Sequence, residues 1–320
     1  MRRRKIGAIV GAALMASVSA CGLDVNAAVP FDVEPGSIQP IPELEGVDVT
    51  VGSKDFTEQI VLGYIAELAI EAAGANAIDL TNINGSNSAR YALIDGQIDL
   101  QWEYTGTGWL SYLGHDKPIP EEMAQYEAVR KEDLELNGVA WLPYSEVNNT
   151  YAFATTEAFA QKHDLKTTSD MTEFLKQNPN EAVFCVETEF ASRPDGMPGV
   201  QKTYGFPVTT TKTFGTGAIY AATASGTCNF GEVFTTDGRI AGLNLRVLED
   251  DKKFFPQYNA SVTMRADFLE QHPQLAEVMA PITEALDNDE IIEMNKEVDV
   301  DGRDPAHVAR DWMVEKGFIS

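Results

Sequence analysis

From residue 47 onward the chain alternates between two hydrophobic periods, and that alternation limits the folds open to it. Val47, Val49 and Val51 are interleaved with Asp48 and Thr50, the two-residue period of a strand with one buried face. Gly52-Ser53-Lys54 then leads into a helix, with Asp55 and Glu58 at capping-box spacing. Val61, Tyr64, Ile65, Leu68, Ala69 and Ala72 form one apolar stripe up to Gly74, which places Glu67 and Glu71 on the wet side. A second strand is expected around Ile78 and Leu80. After a helix with Tyr91 and Leu93, the alternation of Ile98, Leu100, Trp102 and Tyr104 with Asp99, Gln101 and Glu103 marks a third strand. Strands alternating with helices imply a mostly parallel sheet, which binds ligands beyond the carboxyl ends of its strands. Tyr104 and Thr105-Gly106-Thr107 stand at such an end.

A polar helix from Pro120 to about Leu136 and an apolar run near Val139 to Leu142 precede Asn148-Asn149-Thr150-Tyr151, which reads as a crossover. A second series follows: a helix near Met171 to Lys176, a strand from Ala182 to Val186, a helix near Gly217 to Ala224 and a strand near Leu243 to Leu248. Residues from Ala266 to Ser320 read as largely helical. The organisation expected is α/β with two lobes, residues 47–150 with 255–320 as the first and 151–254 as the second, and a cleft between them.

The N-terminus reads as an address. Arg2, Arg3, Arg4 and Lys5 precede the uncharged stretch Ile6 to Ala20, too short for a bilayer span of about 20 residues but suited to a signal-peptide core. The stretch ends Val18-Ser19-Ala20-Cys21 and resembles a bacterial lipobox, in which cleavage makes the lipidated cysteine, here Cys21, the first residue. An ordinary secretory signal with an incidental cysteine is the alternative. The following residues 21–46 hold Pro30, Pro35, Pro40 and Pro42, five carboxylates and no Lys or Arg, the composition of a flexible tether.

Charge excludes several classes. With 24 Lys and Arg against 49 Asp and Glu, the chain carries −25, and loss of residues 1–20 would leave −29. Nucleic acid and anionic lipid surfaces would repel such a surface. Once Cys21 is set aside, Cys185 and Cys228 form an even pair in an exported setting, for which a disulfide is expected; two buried free thiols are the alternative.

Five strings resemble the glycine betaine/choline (osmoprotectant) class of ABC-transporter substrate-binding lipoproteins: Gly52 to Gln59 (GSKDFTEQ), Glu103 to Thr107 (EYTGT), Ser192 to Gly196 (SRPDG), Thr236 to Arg239 (TDGR) and Phe255 to Tyr258 (FPQY). The resemblance spans about residues 47–318. It implies a two-lobed periplasmic-binding-protein-like fold of type II, an osmoprotectant held in the interlobe cleft, and delivery to a membrane permease served by a separate ATPase. A quaternary ammonium has no hydrogen to donate, so such a site relies on aromatic faces, each contributing about 0.5–2 kcal/mol. By position in the pattern, Tyr104, Tyr151 and Tyr258 are the expected cage, with Phe234 standing where similar proteins carry Tyr and Tyr91 as a further candidate. A betaine's carboxylate calls for cationic donors. Lys54 and Arg193 match those positions, with Thr107 as an assisting hydroxyl, and this pair tilts the reading from choline toward a betaine.

No catalytic constellation emerges. The four histidines, His115, His163, His272 and His307, are scattered; zinc spacing, a nucleophile elbow and a phosphate loop are absent from the sequence. The expectation is a binder without metal, cofactor or catalytic residues, anchored outside the cytoplasm through its lipid alone. The alternatives are a cargo of choline, carnitine or another small amine, and a secreted enzyme acting on small amino compounds through its many carboxylates.

Overall fold

A computed structural model of the chain describes residues 29–320; Cys21 and the expected signal segment lie outside this range. Among the described residues ten strands form two five-stranded sheets. The first is built from β1 (Asp48–Lys54), β2 (Asn76–Ile83), β3 (Leu100–Tyr104), β4 (Val139–Asn148) and β10 (Asn259–Arg265), the second from β5 (Tyr151–Thr156), β6 (Val183–Val186), β7 (Thr210–Thr213), β8 (Phe230–Phe234) and β9 (Leu245–Leu248). Their orders, β2-β1-β3-β10-β4 and β7-β6-β8-β5-β9, follow one plan. In each sheet four strands share a direction, and the fifth, β10 or β5, which enters from the other sheet's side of the chain, runs against them.

The two passages between the sheets lie side by side. Asn149-Thr150 links β4 to β5, and the segment after β9 returns to β10. The Asn149 amide donates to the Tyr258 carbonyl (3.1 Å) and the Tyr258 amide to Asn148 Oδ1 (2.8 Å). These bonds gather both passages at the base of a cleft.

Three local expectations are corrected. Helix Thr57–Ala72 has Phe56 as its N-cap and no capping side chain, because Glu58 turns inward and is buried. Glu67, expected in water, is also fully buried: the helix packs on β1 and β2 and also on helices Gln274–Ala285, Asn288–Asp299 and Pro305–Glu315. The expected tether is packed from Val29 onward. Val29, Ile38 and Leu44 are buried, and the amides of Gly36 and Ile38 donate to the Phe318 carbonyl, each at 3.1 Å. A proline-rich, acidic composition suggested an extended segment, but three apolar anchors and pairing with the chain's end give it a fixed place.

Cys185 on β6 and Cys228, two residues ahead of β8, are joined by a disulfide across 43 positions. Closing a loop of that length restricts the unfolded chain, so the Cys185→Ala/Cys228→Ala variant is expected to lose about 4 kcal/mol in urea denaturation. An unchanged midpoint and slope would show that the bridge adds nothing to stability.

Candidate functional site

Between the lobes lies a cleft of about 950 Å³ that reaches the carboxyl ends of β1, β3, β6 and β8. Lys54 and Tyr104 end β1 and β3, Phe234 ends β8, Tyr151 opens β5 opposite Phe234, and Tyr258 immediately precedes β10. All five line the cleft together with Thr107 and Arg193. Tyr91 does not. It is 65% exposed on helix Ser86–Ile94, whose inner face is made by Ala89, Arg90, Ala92 and Leu93, so the helical phase turns Tyr91 away from the cleft.

The rings form one assembly. Tyr151 sits 5.0 Å from Phe234 and 5.4 Å from Tyr258 between centroids, edge-on to the latter. Phe56, which the sequence reading did not single out, bridges the lobes: its ring is near parallel to Phe234 at 5.1 Å and to Tyr104 at 6.3 Å. Its signal was positional, since it follows Lys54-Asp55 at the carboxyl end of a strand. Gly106 permits the close approach of Tyr258, because a Cβ there would stand 2.7 Å from the Gln257 carbonyl oxygen and 2.8 Å from the Tyr258 ring.

Two cations border the rings. The Lys54 ammonium lies 4.9 Å from the centroid of Tyr104 and donates to Glu103 Oε1 at 2.5 Å. The Arg193 guanidinium lies 5.6 Å from the centroid of Tyr151. Its Nε and Nη2 fork onto Asp195 (2.8 and 2.5 Å), and its Nη1 reaches Glu189 at 3.0 Å. The second oxygen of Glu189 accepts the Ser86 amide of the facing lobe at 3.1 Å. Thr107 Oγ1 stands 3.5 Å from Arg193 Nη2.

Burial and charge oppose each other here. Burial disfavours ionised Asp195 and Glu189, but the neighbouring Arg193 guanidinium holds both carboxyls below their ordinary values. Glu232 on β8 has no such fork, and burial pushes it up to about 8. Burial likewise raises the phenols of Tyr104, Tyr151 and Tyr258, keeping them protonated. Two of these hydroxyls donate to buried carboxylates, Tyr104 to Glu58 (2.6 Å) and Tyr258 to Asp195 (2.7 Å).

Such a surface can hold a small zwitterion whose cation has no hydrogen to give. Onium and carboxylate in a betaine are one carbon apart, so the donors for one must adjoin the rings for the other. Lys54 and Arg193 do adjoin them. Among the described residues no cluster of three or more His, Cys, Asp and Glu is arranged to hold a metal ion.

Comparison with known proteins agrees in fold and extent. Residues 47–315 match the model of a family described as the substrate-binding domain of ABC-type glycine betaine transport systems. A glycine-betaine-binding protein of Pseudomonas aeruginosa is 35% identical over 276 residues, covering 84% of this chain and 88% of that protein. The carnitine transport binding protein OpuCC of Listeria monocytogenes is 28% identical over 274 residues, 85% of this chain and 87% of the relative. A solved structure described as a glycine betaine/carnitine/choline ABC transporter superposes with a TM-score of 0.70 at 28% identity, over 85% of this chain and 99% of that one.

Proposed function

The chain belongs to the family of substrate-binding domains of ABC-type glycine betaine transport systems, and from that premise we propose that it captures glycine betaine outside the cytoplasm and hands it to an ABC permease. The onium is held by Tyr104, Tyr151, Phe234 and Tyr258, with Phe56 as a further wall, and the carboxylate by Lys54, Arg193 and Thr107. The observation that carries this reading is the convergence of rings from both lobes on one cleft with a cation beside Tyr104 and another beside Tyr151. Cys21 serves as the lipid anchor, a separate subunit hydrolyses the ATP, and the chain itself turns nothing over. The carboxylates of Glu187, Glu189, Asp195 and Glu232 beside the cleft are engaged by Arg193 or by backbone amides, which suits holding a ligand better than exchanging protons with one.

Titration calorimetry against glycine betaine, proline betaine, choline, carnitine and a polyamine tests the cargo, with proton NMR of the same mixtures testing for turnover. Stoichiometric binding, tightest for a betaine and without new resonances, is expected. Heat with the polyamine alone would overturn the cargo, and product resonances would overturn the reading as a binder.

A further inference from the structure

Glu58 stands behind the cage and does not line the cleft. It is 2% exposed, yet its two oxygens take four donors from four separate parts of the chain. Oε1 accepts from the Tyr104 hydroxyl at 2.6 Å and the Asn149 side-chain amide at 2.9 Å. Oε2 accepts from the Thr236 hydroxyl at 2.6 Å and the Asn295 side-chain amide at 3.2 Å. Asn295 also donates to the Thr236 carbonyl at 2.9 Å.

The placement of these donors is what matters. Tyr104 is the ring at the end of β3; Asn149 lies in the passage between the lobes, two residues before Tyr151; Thr236 follows Phe234 by two residues in the second lobe; Asn295 belongs to helix Asn288–Asp299. One carboxylate from the first lobe therefore ties together segments carrying three rings of the cage. Burial raises its carboxyl above the ordinary value, and the four donors act against that rise by taking all of its lone pairs, which leaves no site for a proton. A phenol that donates to an anion also gains electron density, which deepens the negative potential over its ring and strengthens the pull on a cation.

Resting on the onium-cage reading above, we propose that Glu58 is a positioning residue for the cargo's cation: it sets the spacing of rings from both lobes and, through the phenol of Tyr104, raises that ring's affinity for positive charge. It never touches the cargo. A hinge brace without this role would serve stability alone.

The test is calorimetry on the full chain with glycine betaine and with 3,3-dimethylbutanoate, which has the same shape without the positive charge. Glu58→Gln is a mild change, because among the described residues Asn149 Oδ1 and Asn295 Oδ1 have no partner and can accept from the new amide. Glu58→Gln is expected to weaken glycine betaine by about tenfold and the analogue, which keeps the carboxylate but lacks the cation, by less than about twofold, since the ring's negative potential acts on the cation that faces it. Tyr104→Phe keeps the ring but cuts the link, so in that background Glu58→Gln should cost less than about twofold more, the non-additivity expected of two residues acting as a unit. Equal losses for both ligands, or additive losses in the double variant, would reduce Glu58 to a structural brace. Should Glu58→Gln fail to fold, Tyr104→Phe with unchanged glycine betaine affinity would overturn the proposal by itself. A wild-type chain that binds no quaternary ammonium would overturn the cargo reading, whereas normal wild-type binding with unaltered variants would overturn only the role of Glu58.

Discussion

Replacing Arg193 by alanine is expected to weaken glycine betaine binding by about a hundredfold, the scale of lost charge-assisted hydrogen bonds, while choline, which has no carboxylate, should lose only severalfold. The guanidinium is 7% exposed and sits where the Tyr151 ring, Thr107 and the loop carrying Glu189 meet. Its Nε edge is taken by Asp195 and its Nη1 donates to Glu189 and the Tyr151 hydroxyl, so the Nη2 corner beside Thr107 is what a cargo carboxylate would meet first. The same substitution strips Asp195 of its counter-charge, leaving Tyr258 as the one side chain among the described residues that donates to it, and that is expected to cost about 3 kcal/mol of stability. Arg193→Lys separates the two effects. A lysine keeps a charge near Asp195 but cannot reproduce the fork, so it should retain most of the stability and still discriminate poorly between betaine and choline. Calorimetry with both ligands, paired with urea denaturation, provides the check. Equal losses of the two ligands in Arg193→Lys would mean that Arg193 shapes the lobe and does not read the carboxylate.

What the sequence revealed and what it concealed both follow from how far apart the deciding partners are. Strands β1 and β3 were legible because apolar and polar residues alternate along them, although the structure buries all of β3 and β1 from Val51 to Lys54, and the passage at Asn149-Thr150 because a polar break between two apolar runs has few other uses. Tyr104, Tyr151, Phe234 and Tyr258, which the structure brings to one cleft, were proposed for a cage by matching a family pattern, since no periodicity distinguishes a cage ring from a packing ring. Tyr91 was a false candidate for a local reason: the four-residue inner face around it fixes its phase outward. Glu58 and Glu67 were misread for a distant one. A carboxylate two residues into a helix ordinarily caps it, and the partners that draw Glu58 inward lie 46 to 237 residues away. Glu67 falls on the polar side of a single apolar stripe, but the helix is packed on more than one side, against β1 and β2 and against the later helices, above all Pro305–Glu315, and Asp79 of β2 is among the groups that act on Glu67. Phe56 was overlooked because its two ring neighbours come from different lobes.

Buried Glu67 leads to the second large expectation, a loss of stability as pH rises that one substitution removes. Neither of its oxygens has a hydrogen-bond partner among the described residues. Burial first, then the Asp79 carboxylate and Glu71, push its carboxyl from the ordinary 4.5 up to about 9. Tyr64 on the same helix face is raised as well, by burial and by the charges of Asp79 and Glu67. Between about 4.5 and 9 the folded chain keeps the Glu67 proton while the unfolded chain releases it, so the unfolded state binds fewer protons and stability falls with rising pH. The contribution is complete below 4.5 and is lost by the time pH passes 9. One such proton corresponds to a slope of about 1.4 kcal/mol per pH unit. Glu232, pushed up to about 8 by its own burial, adds a slope of the same sign, which is why the difference between wild type and Glu67→Gln is the quantity to measure. The buried amide of the variant shifts its curve by a constant and cannot titrate. Urea denaturation from pH 5.5 to 8.5 should therefore show the variant gaining on the wild type steadily, by about 4 kcal/mol across the range if the whole linkage is expressed. Parallel curves would mean that Glu67 is ionised in the folded chain, and that the Asp79 side of the helix is wetter than its packing implies.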